Sequence, residues 1–253
     1  MPPSKDRALC LRQVDWSETS QVVWLFAREL GLVRGVAKGA RRPGERFDGG
    51  IELLTLGEAI VYLKPGAELA TLAAWDTLER FPMPRRSLDG FYAGLYLADL
   101  TLRLLQDRDP HPRLFDSLVL ALRAGPDGVL GALVAAQWAA LDESGFRPKL
   151  DADLASGEPL ADGGLSFLPR RGGFTRQPGE THPAWRVRPQ TVAVLRNLDA
   201  PGGSAATPTA IDLVRAARLL DAYAREILGR DIPAAEALFE RLGPEPRARN
   251  GRS

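Results

Sequence analysis

The chain has 253 residues, of which 45% are hydrophobic, and its formal net charge is +1. This length and apolar content are enough for a sizeable core and for one to three small domains. The balanced charge excludes a histone-like arm protein but is compatible with a local basic patch. Because Cys10 is the single cysteine, the chain can build neither an internal disulfide framework nor a thiolate zinc site.

The N-terminal segment MPPSKDRALC is polar, which is not the pattern of a secretory signal. No stretch approaches the roughly 18 apolar residues of a membrane span. The most apolar candidate, residues 129–141, is too short and contains Gln137, so we predict a buried helix there. We expect a cytoplasmic protein without a membrane partner, and the single cysteine fits a reducing compartment.

Five short β-type segments precede residue 81. They are separated by glycine, proline or polar turns, and the second of them, QVVWLFA, is rich in β-branched and aromatic residues. The segments span residues 8–14, 21–27, 32–38, 51–64 and 69–78. This pattern predicts a small barrel or a sandwich, and closure into a barrel would remove exposed strand edges.

A proline-rich segment, FPMPRRS, ends the β pattern at residues 81–87. We place a domain boundary there, so that residues 1–80 form the β domain and residues 81–253 a helical domain. Apolar residues at helical spacing follow Ser87, whose hydroxyl is a predicted N-cap. Further helices are predicted at residues 114–123 and 129–144, and Gly145 is the predicted end of the latter.

Residues 149–183 interrupt the helical pattern with a glycine-, proline- and acid-rich stretch, predicted to be a loop-like insertion. A short helix is predicted at residues 190–198, followed by the linker DAPGGSAAT. Thr207 and Pro208 are the predicted cap and first residue of a long amphipathic helix that ends at Gly229. Residues 234–242 add one or two turns before a tail that is expected to fray. The fold class is therefore α+β.

Positive charge is concentrated in one glycine-rich turn, GLVRGVAKGARRPGERF, at residues 31–47. Its one acid is Glu45, and its five cations are Arg34, Lys38, Arg41, Arg42 and Arg46. Glycines let a backbone come close to a ligand, and a cationic loop over a curved β surface is a way to hold a nucleic-acid strand. The alternative is a solvated basic loop, since short cationic runs are common on surfaces.

Three aromatic residues near this turn are candidates for stacking on bases: Trp16, Trp24 and Phe47. Trp24 lies inside the apolar run VVWLF and is predicted to be in the core. Trp16 is open to either interpretation. Phe47 is a stacking candidate if the turn is ordered.

The stretch RGVAKGARRPGERF, preceded by ELGL, resembles the N-terminal signature of the RecO family of recombination mediators. Three later stretches resemble the helical parts of that family in the same order: DLTLRLLQDRDPHPRLFDSLVLALRA, QWAALDESGFRPKLD and LLDAYAREILGRDIPAAEALF. The resemblance covers most of the chain, and its most specific part is GVAKGARR.

This resemblance implies an N-terminal OB-fold barrel followed by a helical bundle. It implies binding of single- and double-stranded DNA, strand annealing, and loading of recombinase onto DNA coated by single-strand-binding protein. The implied partners are RecR and the acidic C-terminal tail of single-strand-binding protein, the implied place is the nucleoid, and no cofactor is implied. By matching motifs, Lys38, Arg41 and Arg42 are carried over as DNA contacts, and Arg34 and Arg46 are added by proximity.

The chain departs from the family in its insertion, where many members hold zinc with two C-x-x-C pairs. Asp153 and Ser156 stand where the first pair is expected, and FTRQPGE replaces the second. Four good ligands are required for tetrahedral zinc, so we predict a metal-free, degenerate zinc-ribbon-like segment. Its predicted mini-core is Leu165, Phe167 and Phe174, and a floppy loop is the alternative.

The remaining sequence argues against an enzyme, because it contains no Walker loop, no G-x-S-x-G and no H-E-x-x-H. We predict a mediator that acts by binding. One rival is a scaffold whose basic loop docks an acidic partner tail. The other is an enzyme with a diffuse site among Asp99, Asp142 and Glu143.

Several further residues invite a functional interpretation. Cys10 is predicted to be a buried, inert thiol. His111 and His182 are predicted to lie in surface loops. The doublet at residues 85–86 either extends the DNA track or simply flanks the linker, and the doublet at residues 170–171 is predicted to be solvated.

Overall fold

The computed structural model describes residues 2–42, 46–47, 49–64, 66–160, 163–179, 183–199 and 207–243. Glu45, His182, most of the predicted linker and nearly all of the tail lie outside these residues.

Five strands close into the N-terminal barrel: β1 (Ser4–Asp15), β2 (Gln21–Ala27), β3 (Gly31–Ala37), β4 (Thr55–Tyr62) and β5 (Ala70–Arg80). Their order around the barrel is β1-β2-β3-β5-β4, with β4 pairing back onto β1. All pairs are antiparallel except β3 with β5. A five-stranded Greek-key barrel of this kind is an OB-fold, so the fold class is confirmed and the sandwich alternative is excluded.

The barrel interior is filled by alternate residues of each strand. On β2 these are Val23 and Leu25, which are fully buried, and Trp75 of β5 fills the interior beside them. Cys10 is also fully buried, and burial raises the pKa of its thiol to about 12. The thiol is therefore protonated at neutral pH.

After the barrel, the described residues form seven α-helices: α1 (Met83–Arg86), α2 (Leu88–Leu104), α3 (Pro112–Arg123), α4 (Val129–Glu143), α5 (Pro189–Asp199), α6 (Ala210–Leu228) and α7 (Pro233–Arg241). The Ser87 hydroxyl accepts a hydrogen bond from the Gly90 amide at 3.3 Å, which confirms the predicted cap of α2. The end of α4 at Gly145 is also confirmed, since the Phe146 amide donates back to the Leu141 carbonyl at 2.7 Å.

The predicted start of α6 was wrong by two residues. Its N-cap is Thr209 rather than Thr207. The Thr209 hydroxyl accepts from the Asp212 amide, and the Asp212 carboxylate accepts from the Thr209 amide, each at 3.3 Å. This reciprocal capping box satisfies two free amides, which the Thr207–Pro208 pair does not do.

Part of the outer barrel surface packs into the same hydrophobic core as the helices, and the barrel interior forms a separate cluster. Leu9, Phe26 and Leu32 lie in register across β1, β2 and β3, and all three belong to the same buried cluster as the helical residues. The Phe26 ring meets the ring of Phe115 on α3 edge-on, with centroids 5.8 Å apart. Helices therefore cover one part of the outer barrel surface.

The insertion between α4 and α5 contains a three-stranded antiparallel sheet rather than a loop. Its strands are β6 (Leu165–Leu168), β7 (Gly173–Thr175) and β8 (Trp185–Val187), in the order β7-β6-β8. Leu165, Phe167 and Phe174 are buried as predicted, but they do not form a separate mini-core. Phe167 packs edge-on against Tyr223 of α6 at 4.9 Å between centroids, which joins the sheet to the main core.

The Asp153 carboxylate joins the two ends of this insertion. It accepts hydrogen bonds from the amides of Ala155 (2.8 Å), Ser156 (3.3 Å) and Arg176 (2.7 Å) and from the Thr175 hydroxyl (2.8 Å). Burial raises the pKa of Asp153, but these hydrogen bonds outweigh it and hold the pKa below its usual range. The carboxylate thus cross-links the turn after residue 153 to the end of β7.

Candidate nucleic-acid interface

The outer face of β1, β2 and β3 carries a row of basic and aromatic side chains. Arg12, Trp24 and Arg34 lie directly opposite one another across the three strands. The row of Leu9, Phe26 and Leu32 is covered by helices, whereas this row is not. Both of its arginines are exposed.

Trp24 was predicted to be in the core, and the structure contradicts this. Its side chain is half-buried on the outer face, because Val23 and Leu25 take the interior positions of β2. The guanidinium of Arg12 lies over the indole ring, 5.0 Å from the centroid. This cation–π contact holds a positive charge on the surface of the strand.

The basic turn that follows β3 is tied to the turn that follows β1. The Arg41 amide donates to the Thr19 carbonyl at 3.0 Å, and the Gly39 amide donates to the Ser20 hydroxyl at 3.3 Å. Gly39 has a φ of +73°, a conformation that favours glycine. These bonds hold Lys38, Arg41 and Arg42 next to the β1–β2 turn, and all three side chains are exposed.

The predicted cations differ in their partners. Arg34 forms an ion pair with Asp107 at 3.2 Å, and Arg41 forms one with Asp15 at 2.9 Å. In the described residues, neither Lys38 nor Arg42 has a carboxylate within ion-pair distance. Surface pairs contribute only about 0–1 kcal/mol, so an incoming phosphate can replace either carboxylate.

The far end of the turn is anchored in the barrel. Phe47 is only 5% exposed and packs in the barrel interior, so its interpretation as a stacking residue was wrong. Arg46 is exposed, and its carbonyl accepts from the Trp75 amide at 2.8 Å. The hydrogen bond to its carbonyl and the burial of Phe47 fix where the Arg46 side chain leaves the barrel.

Gly31 does not bring the backbone close to a ligand, as its position in the basic turn had suggested. A Cβ there would lie 2.3 Å from the Asp109 carbonyl oxygen, so the close approach is to the chain itself. The Arg108 amide also donates to the Leu32 carbonyl at 2.9 Å. The loop after α2 is thereby fixed beside the first residues of β3, which do not pair with β5, and brings Asp107 to Arg34.

The turn between β1 and β2 presents Trp16, whose side chain is 74% exposed. It borders a cavity of about 430 Å³. The other lining residues are Ser17, Thr19, Ser20, Val36, Lys38, Gly39 and Arg42. The cavity therefore joins an indole, hydroxyl groups and two cations, Lys38 and Arg42, which have no carboxylate partner in the part of the chain that the structure describes.

The two arginines at the end of the barrel, Arg85 and Arg86, differ in their surroundings. Arg85 donates to the carbonyls of Leu54 and Phe81 and to the Glu52 carboxylate, so it fixes the barrel end to α1 and does not extend the basic turn. Arg86 is exposed.

Of the three acids proposed for a diffuse enzyme site, Asp142 and Glu143 share one arginine partner, whereas Asp99 is bonded to a different element. Asp99 accepts from the Ala234 amide at the start of α7 at 3.2 Å. Asp142 and Glu143 pair with Arg113 at 3.6 and 3.3 Å. His111 was predicted to be a surface residue, but its side chain is only 14% exposed and its Nδ1 lies 3.5 Å from Glu143.

A second basic surface lies in the helical part and was not predicted. A cavity of about 980 Å³, here called the arginine groove, is lined by five arginines: Arg176, Arg186, Arg188, Arg215 and Arg218. Apolar residues including Trp185, Val187 and Leu219 also line it. No single stretch of sequence shows this groove, because its arginines come from the end of β7, from around β8 and from α6.

Within the ranges that the structure describes, no group of three or more His, Cys, Asp or Glu side chains is placed to hold a metal ion. No described helix is both long and apolar enough to span a membrane.

Comparison with known proteins covers both halves of the chain. The model of the recombination protein O N-terminal region matches residues 1–81, and that of its C-terminal region matches residues 85–235. A DNA repair protein RecO from Anaeromyxobacter dehalogenans strain 2CP-1 is 34% identical over 254 residues, which cover 96% of this chain and 98% of the relative. One from Anaeromyxobacter sp. strain K is 35% identical over 92% of this chain and 94% of the relative. The barrel, the helices that cover it and these matches agree, and the chain belongs to the RecO family of DNA repair proteins.

Proposed function

We propose that this protein binds single- and double-stranded DNA through the basic turn and the adjoining outer face of β1–β3. It then promotes strand annealing and helps load recombinase onto DNA coated by single-strand-binding protein, at the nucleoid. The observation that carries the proposal is a pair of exposed cations on a hydrogen-bonded turn, Lys38 and Arg42, which have no carboxylate partner among the described residues. Fixed, unpaired charge attracts phosphates without first breaking an internal ion pair.

Annealing follows from the same charges. Two DNA strands repel each other through their phosphates, and a protein that neutralises phosphates on both lowers that repulsion. Nothing in this action requires a catalytic step, so we propose that the protein works through binding alone. Turnover of nucleotides or DNA by the purified protein would contradict that part.

The DNA contact is tested by the salt dependence of binding. Contact of the turn with about four phosphates predicts that log affinity for a single strand falls with log salt at a slope near −3. In the Lys38/Arg41/Arg42→Ala variant the slope should become shallower by about 2, for every DNA sequence. Fluorescence anisotropy of a labelled oligonucleotide, titrated at several salt concentrations, measures the slope for the wild type and for the variant.

A matched variant separates this site from overall charge. Arg113, Lys149 and Arg230 are exposed and lie outside the basic turn. Their triple replacement by Ala removes the same number of charges, and we expect it to leave the slope nearly unchanged. Equal losses in both triple variants, or none in either, would contradict a phosphate site at the turn.

We further propose that the acidic tail of single-strand-binding protein occupies the arginine groove, and that RecR is a second partner. Guanidinium groups bind carboxylates with two parallel hydrogen bonds, and the apolar lining suits a hydrophobic side chain next to the acids. The side chains of Arg186 and Arg188 are exposed and make no hydrogen bond or ion pair in the described residues. The Arg186/Arg188→Ala variant should lose affinity for an acidic tail peptide and keep its affinity for DNA.

The alternative is a scaffold in which the basic turn itself docks an acidic tail. It predicts that the Lys38/Arg41/Arg42→Ala variant loses the peptide, and that the wild type binds DNA weakly. The arginine groove favours the first proposal, because it offers an acidic chain a place away from the turn.

A further inference from the structure

Trp16 has an exposure that its surroundings do not explain. An indole is large and apolar, and it is usually well buried in a folded protein. Here its side chain is 74% exposed. No ring contact or cation–π contact involves it in the described residues.

The turn that carries Trp16 is nonetheless well ordered by hydrogen bonds. The Trp16 amide donates to the Ser20 carbonyl at 2.9 Å, and the Ser17 hydroxyl accepts from the amides of Thr19 and Ser20 at 3.4 and 3.1 Å. The Ser20 hydroxyl then receives the Gly39 amide of the basic turn. Since the two turns hold each other, the indole is presented at little further entropic cost to a ligand.

The cavity beside the indole has the chemistry of a nucleotide site. Val36 contributes an apolar surface, and Lys38 and Arg42 contribute positive charge that no carboxylate of the described residues pairs with. The Thr19 hydroxyl makes no hydrogen bond to any described residue, so it is free to bond a polar group. A flat apolar ring, a free hydroxyl and two cations match the face of a base, its polar edge and its phosphate.

We propose that this cavity holds one unpaired base of a DNA strand, stacked on Trp16, with the adjacent phosphate on Lys38 and Arg42. The proposal rests on the proposed function, because it assigns a second role to the surface that contacts phosphates. It also predicts that this surface prefers single-stranded DNA to a duplex. In a duplex the faces of each base are covered by its neighbours, so only an unpaired base can stack on the indole.

The test compares DNA that has bases with DNA that lacks them. Stacking of one base on an aromatic side chain is worth about 1–3 kcal/mol, and each 1.4 kcal/mol is a factor of ten. Trp16→Ala should therefore weaken single-strand binding about 10-fold and change duplex binding by less than about 2-fold. Trp16→Phe, which keeps a ring, should restore most of the affinity.

An oligonucleotide of abasic sites with the same number of phosphates isolates the stacking. The wild type should bind it about 10-fold more weakly than the normal strand, and Trp16→Ala should bind the two about equally well. Phe146→Ala removes an aromatic ring that is 42% exposed and lies outside the barrel. It is the control and should change the affinity for neither the normal nor the abasic strand.

The outcomes separate the two proposals. If Trp16→Ala binds normal and abasic strands as the wild type does, while the Lys38/Arg41/Arg42→Ala variant is weakened, the stacking proposal is wrong and the phosphate site stands. If neither variant changes DNA affinity, the proposed function of this surface fails as well. Equal weakening of single-strand and duplex binding by Trp16→Ala would also overturn the stacking proposal.

Discussion

The Asp153 carboxylate offers a direct test of how the insertion is held without sulfur ligands. Asp153→Ala removes the acceptor of four hydrogen bonds, which come from the amides of Ala155, Ser156 and Arg176 and from the Thr175 hydroxyl. The carboxylate is 7% exposed, so water cannot fully replace it. We expect the end of β7 to separate from the turn after residue 153.

The magnitude follows from the kind of bond. A hydrogen bond to a charged acceptor contributes about 1.5–3 kcal/mol, and bonds within one network do not add. We expect Asp153→Ala to lower the free energy of unfolding by about 3 kcal/mol. Asp153→Asn keeps one carbonyl oxygen as an acceptor and should lower the free energy of unfolding by less. Asp151→Ala, which removes an exposed acid two positions away, is the control and should change little.

The dependence on pH gives a second measure of the same interaction. The folded-state pKa of Asp153 is lowered, so its stabilisation is fully present above the unfolded-state pKa, about 3.9, and is lost as pH falls through the folded value. The difference in unfolding free energy between wild type and Asp153→Asn should therefore be largest near neutral pH and shrink below about pH 4.

Urea denaturation across pH measures the global effect, and hydrogen exchange of the Ala155 and Arg176 amides measures the local one. If Asp153→Ala unfolds at the same urea concentration as Asp151→Ala, with no faster exchange of these amides, the carboxylate does not hold the insertion. A difference that is constant from pH 7 to pH 3 would refute the role of its charge.

Three further predictions concern the interface, a helix cap and a close approach. Asp15→Asn removes the charge that pairs with Arg41, so single-strand affinity in an anisotropy titration should rise about 2- to 5-fold; a fall would mean that the pair orients Arg41 for binding. Thr209→Ala removes the cap of α6 and should lower the free energy of unfolding, measured by urea denaturation, by about 1 kcal/mol without changing DNA affinity. At Gly31 φ is +70° and an added Cβ would clash with the Asp109 carbonyl, so Gly31→Ala should lower the free energy of unfolding by well over 1 kcal/mol. An unchanged free energy of unfolding would show that the loop after α2 moves easily.

Local sequence patterns predicted the elements well where each element's own residues decide its structure. The Ser87 cap and the end of α4 at Gly145 are set by neighbours within a few residues, and both were confirmed. The parallel pairing of β3 with β5 joins strands that are distant in sequence, so no local pattern shows it. The same limit explains the start of α6, where a reciprocal side-chain contact outweighed a proline preference.

The side of β2 that Trp24 occupies could not be predicted from QVVWLFA. Alternation identifies an outward face only when that face is polar. Helices cover Phe26 and leave Trp24 open on the same outer face, so both faces of the strand are apolar in sequence. Which part of a barrel surface is covered depends on packing between segments far apart in the chain.

The five cations of the basic turn were found from sequence because they are close together in it. Their division into paired and unpaired charges was not, since Asp107 and Asp15 come from other segments. As DNA contacts all five remain predictions. The arginine groove escaped sequence reasoning for the related reason that its arginines are scattered along the chain.

The shared core has a consequence for exchanging parts between members of this family. Leu9, Phe26 and Leu32 of the barrel are buried against the helices, so the surface where the two halves meet must match in shape as well as in polarity. A chimera that joins this barrel to the helical half of a relative near residue 80 should fold well only if the apolar residues facing that row, such as Phe115, travel with it. The two halves should therefore diverge as a matched pair, even though the basic turn lies on one and the arginine groove on the other.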